Sequence, residues 1–125
     1  MRYAKESMKD EVQPIHDDRP WGSFDQFTKN EPSTVKIITV SAGQRLSLQR
    51  HHRREEFWHV ISGSGTAEIG GVAQELSPGT NVYIGTEVTH RLSGGPDGIQ
   101  ILEIALGDFD ENDIERLEDD YGRAV

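Results

Sequence analysis

Hydrophobic and polar positions alternate in short runs over most of the chain, between Ser23 and Leu106. Turn signals such as Gly63-Ser64-Gly65 and Gly94-Gly95-Pro96-Asp97-Gly98 separate the runs. No apolar repeat with helical spacing extends over roughly ten residues in this region, which argues against alternating strands and helices. The pattern predicts an all-β sandwich or barrel. Its predicted strands cover residues 23–28, 34–40, 45–50, 56–62, 66–69, 72–76, 81–84, 90–93 and 99–106.

The two ends of the chain follow other patterns. Residues 1–18 are polar and charged, and we expect them to form an arm that is ordered only where something holds it. The folded domain is therefore predicted over residues 19–125. Near the C-terminus, Ile114, Leu117 and Tyr121 follow acidic residues at helical spacing, and Gly122 stands where a helix cap would. This spacing predicts a short helix over residues 111–121, packed on the barrel.

Charge and composition narrow the classes of partner. The 125 residues include 13 Lys and Arg against 22 Asp and Glu, a formal net charge of −9, so neither nucleic acid nor an anionic membrane is expected. The absence of cysteine excludes disulfides, thiolate metal ligands and a cysteine nucleophile. The N-terminus carries no apolar signal segment, and no run approaches the roughly 20 residues of a membrane span. We therefore expect a cytoplasmic location.

Histidines and a carboxylate provide the candidate chemistry. Gln49 and His51 share one face of a predicted strand, and Glu56 lies on the next strand. With His90 from a further strand, these groups would converge inside a small barrel as a divalent-metal site. A histidine beside several arginines is equally typical of a solvated charged loop, so the spacing alone leaves both interpretations open.

These residues fall within two spaced motifs. The motif residues are Gly43, Gln49, His51, Glu56 and Gly63, followed by Gly79, Gly85 and His90. The spacing resembles the paired motifs of the cupin superfamily, in which histidines and a glutamate hold a metal in a conical β-barrel. Gln49 stands at the first histidine position, as is typical of the phosphomannose isomerases.

Further blocks resemble the type II phosphomannose isomerase domain over residues 19–123. They are Arg19-Pro20-Trp21-Gly22-Ser23, Leu46-Ser47-Leu48-Gln49, Arg54-x-Glu56-x-Trp58, His90-Arg91-Leu92 and the segment from Asp113 to Arg123. The resemblance implies a single-domain cupin jelly roll, commonly a homodimer, that isomerises mannose 6-phosphate or a related sugar phosphate through an enediol. In that family the domain often follows a mannose-1-phosphate guanylyltransferase domain. No glycine-rich nucleotide loop precedes Arg19, so guanylyltransferase activity is not expected.

The resemblance also implies one divalent metal ion, bound by Gln49, His51, Glu56 and His90. Zinc suits two imidazoles and a carboxylate, and manganese, iron or nickel would fit as well. Arg54 matches the motif arginine of the family and is the candidate for binding phosphate or the enediolate, with a rim salt bridge to Glu55 or Glu56 as the alternative. Glu103, the only acid in its apolar run, is the candidate base, with an outward, solvated position as the alternative.

The sequence also departs from the family pattern. The family has His at the positions of Arg53 and Phe57, and Pro, Gly, Asn and Gln at those of Gly85, Glu87, Gly94 and Ala105. These departures keep two other functions open. One is another metallo-cupin enzyme, such as an oxygenase, and the other is a non-catalytic module that binds a sugar or sugar phosphate.

Overall fold

The structure is a computed structural model that describes residues 13–123. This part of the chain consists of strands, turns and loops, and it contains no helix long and apolar enough to cross a membrane. The strands are β1 (Ile15–Arg19), β2 (Gly22–Gln26), β3 (Ser33–Val40), β4 (Leu48–Arg50), β5 (Arg54–Ile69), β6 (Val72–Leu76), β7 (Asn81–Ile84), β8 (His90–Gly107) and β9 (Glu115–Glu118). The chain divides into two compact units between Pro32 and Ser33.

The first unit contains an antiparallel hairpin formed by β1 and β2. Its turn is Pro20-Trp21, and its register pairs Arg19 with Gly22. His16 links the two strands because its Nδ1 lies 2.7 Å from Asp25 Oδ1. The segment assigned to the arm thus ends in a strand that begins at Ile15, while residues 1–12 lie outside the described part of the chain.

The second unit is organised around two long antiparallel strands, β5 and β8, which pair from Arg54↔Gly107 to Ile69↔His90. The sequence predicted that β5 and β8 would each be two shorter strands, separated by a turn at the glycines, and this prediction was wrong. A Cβ added at Gly65 would collide with the backbone oxygen of Ser93 on the neighbouring strand. The glycines therefore allow two continuous strands to approach closely at a bend.

The bend brings the two ends of these strands together. In a straight strand, Glu56 and Ile69 would lie roughly 40 Å apart. Yet His90, the register partner of Ile69, has its Nε2 only 3.7 Å from Glu56 Oε1. The β5–β8 pair therefore curls around an interior, which is the geometry of a jelly roll.

The remaining strands extend this sheet without closing it into a hydrogen-bonded ring. β3 and β7 lie on the two sides of the β5–β8 pair, and cross-strand partners project from the same face. Two neighbouring rows thus run across β3, β8, β5 and β7: Lys36, Glu103, Trp58 and Val82, then Thr34, Ala105, Glu56 and Ile84. The apolar core adjoins these rows and consists of Val40, Trp58, Val60, Ala67, Leu76, Val82, Ile84, Leu92, Ile99 and Ile101.

The predicted C-terminal helix over residues 111–121 was wrong. Residues 111–112 form a turn, and β9 (Glu115–Glu118) pairs with the short strand β4. Leu117 and Tyr121, two residues of the proposed apolar stripe, are 44% and 50% exposed. The backbone groups of β4 thus gain a strand partner. A helix in this segment would gain little by comparison, because its apolar side chains would not be buried.

Candidate metal centre

Three buried side chains converge where three strands meet. His51 directly follows β4, Glu56 lies near the start of β5, and His90 is the first residue of β8. Their exposed fractions are 3%, 1% and 1%. One ligand atom from each residue lies within 4.8 Å of the others, so the three can hold a metal ion.

Backbone carbonyls orient both imidazole rings. His51 Nδ1 donates to the carbonyl oxygen of Asp113 at 2.6 Å, and His90 Nδ1 donates to that of Val88 at 2.9 Å. These bonds leave the lone pair of each ring on Nε2, which faces Glu56. A hydrogen bond from the far ring nitrogen is the usual way in which proteins orient metal-binding histidines.

Glu56 is held as a buried carboxylate. Trp58 Nε1 donates to Glu56 Oε1 and Arg54 Nε donates to Glu56 Oε2, both at 3.2 Å. Burial by itself would raise the pKa of Glu56. The neighbouring His51, His90 and Arg54 outweigh burial and lower that pKa to about 2. The ligand is therefore ionised at neutral pH.

An orphaned atom indicates that this group suits a cation. His90 Nε2 is buried and has no hydrogen-bond partner among residues 13–123, since Glu56 Oε1 at 3.7 Å is beyond bonding distance. Burial lowers the pKa of His90, which favours the neutral ring that a metal requires. Two imidazole nitrogens and a carboxylate are a common donor set for zinc and related divalent ions. The residues present thus fit a divalent metal.

Gln49 lies beside the three-residue group. Its Nε2 is 3.3 Å from His51 Nε2, and its Oε1 accepts a hydrogen bond of 2.6 Å from Ser47 Oγ. A half-turn of the amide would present Oε1 to a cation while Nε2 faced the Ser47 hydroxyl. The structure therefore brings Gln49 to the group at which the sequence placed it.

Arg54 is buried, with an exposed fraction of 7%, and its guanidinium adjoins the ligands. Besides the bond to Glu56, its Nη2 lies 3.3 Å from His51 Nε2, and its Nη1 donates to the carbonyl oxygen of Asp110 at 3.3 Å. The salt bridge to Glu56 considered from the sequence is present, at 3.2 Å, but it is buried and does not lie at the rim. Arg54 supplies a positive charge at the inner end of the site.

Glu103 projects from β8 into the interior, with an exposed fraction of 6%. Burial raises its pKa, and the charge of Glu56 together with a hydrogen bond between the two carboxyl groups raises it further, to about 8. The charges of Lys36 and Arg54 oppose this shift. Glu103 is thus a protonated acid beside an ionised one, rather than the outward, solvated residue of the alternative interpretation.

Sequence reasoning missed the loop of residues 108–114. The Asp113 carboxylate accepts hydrogen bonds of 2.9 Å from the backbone N–H groups of His52 and Arg53, which fixes the segment carrying His51. These bonds lower the pKa of Asp113, although its burial acts in the opposite direction. The Phe109 ring lies 4.4 Å from the Arg54 guanidinium. Asp113 belonged to a block that resembled the family, whereas no sequence signal marked Phe109.

Three other histidine and arginine side chains lie away from this group. His52 is exposed and bonds Glu87 at 2.9 Å, and His59 bonds Asn81 at 2.7 Å. Arg91 donates to the carbonyl oxygen of Leu46 at 3.0 Å, which is a structural role. The structure thus separates these side chains from His51, Glu56 and His90.

Comparisons with known proteins identify the family. The family model described as "Mannose-6-phosphate isomerase C-terminal" matches residues 6–119. The chain is 43% identical over 109 residues to the alginate biosynthesis protein AlgA of Pseudomonas aeruginosa, which covers 86% of this chain and 23% of AlgA. It is 38% identical over 107 residues to the mannose-1-phosphate guanylyltransferase ManC of Salmonella typhimurium, which covers 84% of this chain and 22% of ManC. The protein belongs to the mannose-6-phosphate isomerase C-terminal family, and it spans less than a quarter of the length of these relatives.

Solved structures share the architecture of this chain, and one of them is described as a cupin protein. The capsular polysaccharide assembling protein CapF of Staphylococcus aureus matches with a TM-score of 0.64 and 20% identity, over 85% of this chain and 34% of CapF. A cupin protein of Bacteroides fragilis matches with a TM-score of 0.54 and 22% identity, over 64% of this chain and 80% of that one. The predicted cupin β-barrel is therefore confirmed.

Proposed function

We propose that this protein is a metal-dependent aldose–ketose isomerase acting on mannose 6-phosphate or a related sugar phosphate. The observation that carries the proposal is the buried group of His51, Glu56 and His90 with the buried Glu103 on the same inner face. The family, whose name refers to this reaction, supports the choice of substrate. We propose zinc as the metal, with manganese, iron or nickel as ions that the same ligands accept.

The reaction moves a proton between C2 and C1 of the sugar through an enediol. When bound by Gln49, His51, Glu56 and His90, the metal would polarise the substrate carbonyl and stabilise negative charge that develops on its oxygen. Glu103 is the candidate to take the proton from one carbon as a carboxylate and return it to the other as an acid. Burial favours the protonated form of Glu103 and raises its pKa towards neutral pH, which suits this exchange.

Arg54 has a position suited to the reacting end of the sugar. Its guanidinium contacts Glu56 and His51, two of the residues that would hold the metal, so its N–H donors lie at the end of the site where the carbonyl of the sugar would be polarised. Hydrogen bonds from a guanidinium to a developing oxyanion strengthen as the charge forms, which lowers the barrier. We therefore favour the enediolate as the group that Arg54 stabilises.

Chelation followed by reconstitution tests the isomerase. The chelated protein should not convert mannose 6-phosphate to fructose 6-phosphate, and adding zinc, manganese, iron or nickel back should restore turnover. His90→Ala should remain inactive after reconstitution, whereas the control His59→Ala should keep wild-type turnover because His59 lies outside the site. Turnover that survives complete metal removal, or is unaffected in His90→Ala, would overturn the proposal.

A non-catalytic sugar-phosphate-binding module is the second candidate. The observation in its favour is the buried guanidinium of Arg54, a cation that can bind an anionic sugar whether or not a reaction follows. In that case the metal-loaded protein would bind mannose 6-phosphate without converting it, and Glu103→Gln would not alter the affinity. An oxygenase, in contrast, would retain iron and consume dioxygen.

A further inference from the structure

Lys36 is a cation on the inner face of the edge strand β3. Along this strand, Ile38 packs against the apolar core and Val40 is part of it, and Lys36 shares their face. Val35 and Ile37 project to the other side and are 56% and 60% exposed. Lys36 therefore points towards the interior that contains Glu56 and Glu103, although its side chain is still 37% exposed.

Lys36 and Arg54 meet at the ring of Phe109. The Lys36 Nζ lies 4.8 Å from the ring centroid, and the Arg54 guanidinium lies 4.4 Å from it. In the row between the two side chains, β8 contributes only the short side chain of Ala105. The long side chains can therefore converge over Ala105, with the aromatic ring in contact with both.

The two cations differ in how far neighbouring carboxyl groups neutralise them. Arg54 donates directly to Glu56, and Glu103 also bonds Glu56. The carboxylate that Lys36 approaches is Glu111 Oε2, at 3.8 Å, and the side chain of Glu111 is 79% exposed. An exposed pair at this distance is weak because water screens it. Lys36 is thus an accessible cation on the inner face that can exchange this partner for an anion.

We propose that Lys36 binds the phosphate group of the substrate, while Arg54 serves the reacting end of the sugar. This inference rests on the proposed function. Because Lys36 Nζ and the Arg54 guanidinium lie 4.8 Å and 4.4 Å from the centroid of the same ring, the two charged groups are at most about 9 Å apart. That spacing is comparable to the length of a hexose phosphate. A lysine ammonium binds phosphate oxygens as a compact charge with three donors.

Lys36→Met, Lys36→Arg and the control Lys29→Met test the assignment, since Lys29 is an exposed lysine that lies outside β3. With the metal-loaded protein, Lys36→Met should raise the KM for mannose 6-phosphate about tenfold or more, with kcat little changed. The KM for unphosphorylated mannose should not change. Lys36→Arg should retain most of the affinity, and Lys29→Met should behave as wild type. An unchanged KM in Lys36→Met would overturn the inference.

Calorimetric titration with inorganic phosphate separates this inference from the isomerase itself. Phosphate binding that is lost in Lys36→Met but kept in Lys29→Met supports the inference, even if no sugar phosphate is turned over. Turnover of mannose 6-phosphate with the same KM in wild type and Lys36→Met would leave the isomerase standing and overturn the role of Lys36. A wild-type protein that binds no phosphate would also overturn it.

Discussion

Replacing Glu103 by Gln should change how the stability of the metal-free protein depends on pH. The folded state holds a proton on Glu103 with a pKa of about 8, against an ordinary value of 4.5, because of burial and the neighbouring Glu56. Between these pH values the folded state binds a proton that the unfolded state has released. The stabilisation is therefore fully present below about pH 4.5 and is lost as the pH rises through about 8.

The size of this effect follows from the shift in pKa. A change from 4.5 to about 8 corresponds to on the order of 5 kcal/mol across the whole window. That is comparable to the entire free energy of unfolding of a typical domain, about 5 to 15 kcal/mol. In Glu103→Gln, the new amide would preserve a donor to Glu56 without a titrating proton. We therefore expect the variant to be markedly more stable than wild type at pH 8, with the difference decreasing towards pH 5.

The assay is urea unfolding of chelated protein at several pH values between 5 and 9. The lowered pKa of His90 acts in the opposite direction, because its stabilisation is lost as the pH falls. Subtracting the variant from the wild type removes this contribution. Glu75→Gln on the exposed side of β6 is the matched control and should preserve the wild-type pH dependence. The same pH dependence in Glu103→Gln and wild type would refute the assignment of a buried, protonated Glu103.

Three further changes test other parts of the structure. Gly65→Ala should destabilise the fold by about 3 kcal/mol in urea unfolding, because the new methyl group would collide with the Ser93 carbonyl oxygen. The control Gly85→Ala should cost under about 1 kcal/mol, because a methyl group fits at that position. Asp113→Asn should cost about 2 kcal/mol at pH 7 by weakening two charge-assisted hydrogen bonds, and a loss below about 0.5 kcal/mol would contradict that role. Trp58→Phe removes a hydrogen-bond donor to Glu56 and should weaken zinc binding about tenfold in a competition titration with a chelating dye. An unchanged zinc affinity would contradict the role of Trp58 in orienting this carboxylate.

The sequence predicted the site better than it predicted the strand boundaries. The alternation within strands and the spaced motifs pointed to Gln49, His51, Glu56 and His90, which the structure brings together. The glycines at 63 and 65 were interpreted as turns. In the structure they lie in a bent strand whose neighbour comes so close that it leaves no room for a Cβ, and local sequence cannot distinguish these two cases.

The segment after β8 was misinterpreted for a related reason. Ile114, Leu117 and Tyr121 match a helical stripe, but the choice between helix and strand depends on whether a distant edge offers backbone partners. Here β4 offers them, and Arg50 adds an ion pair of 2.9 Å with Glu115. The contact of Phe109 with Arg54 could not be predicted from the sequence for the same reason, since the two residues come together only when the chain folds.

Metal content decides whether the buried group of His51, Glu56 and His90 is a metal centre. Protein purified without chelator and dialysed against metal-free buffer would be examined by elemental analysis, for wild type, His51→Ala, His90→Ala and the control His59→Ala. We expect one divalent ion per chain in wild type and His59→Ala, and a large loss in the other two variants, because each removes a ligand from the buried group. A folded wild-type protein that refuses added zinc, manganese, iron and nickel, or equal metal content in all four proteins, would show that the group is not a metal centre.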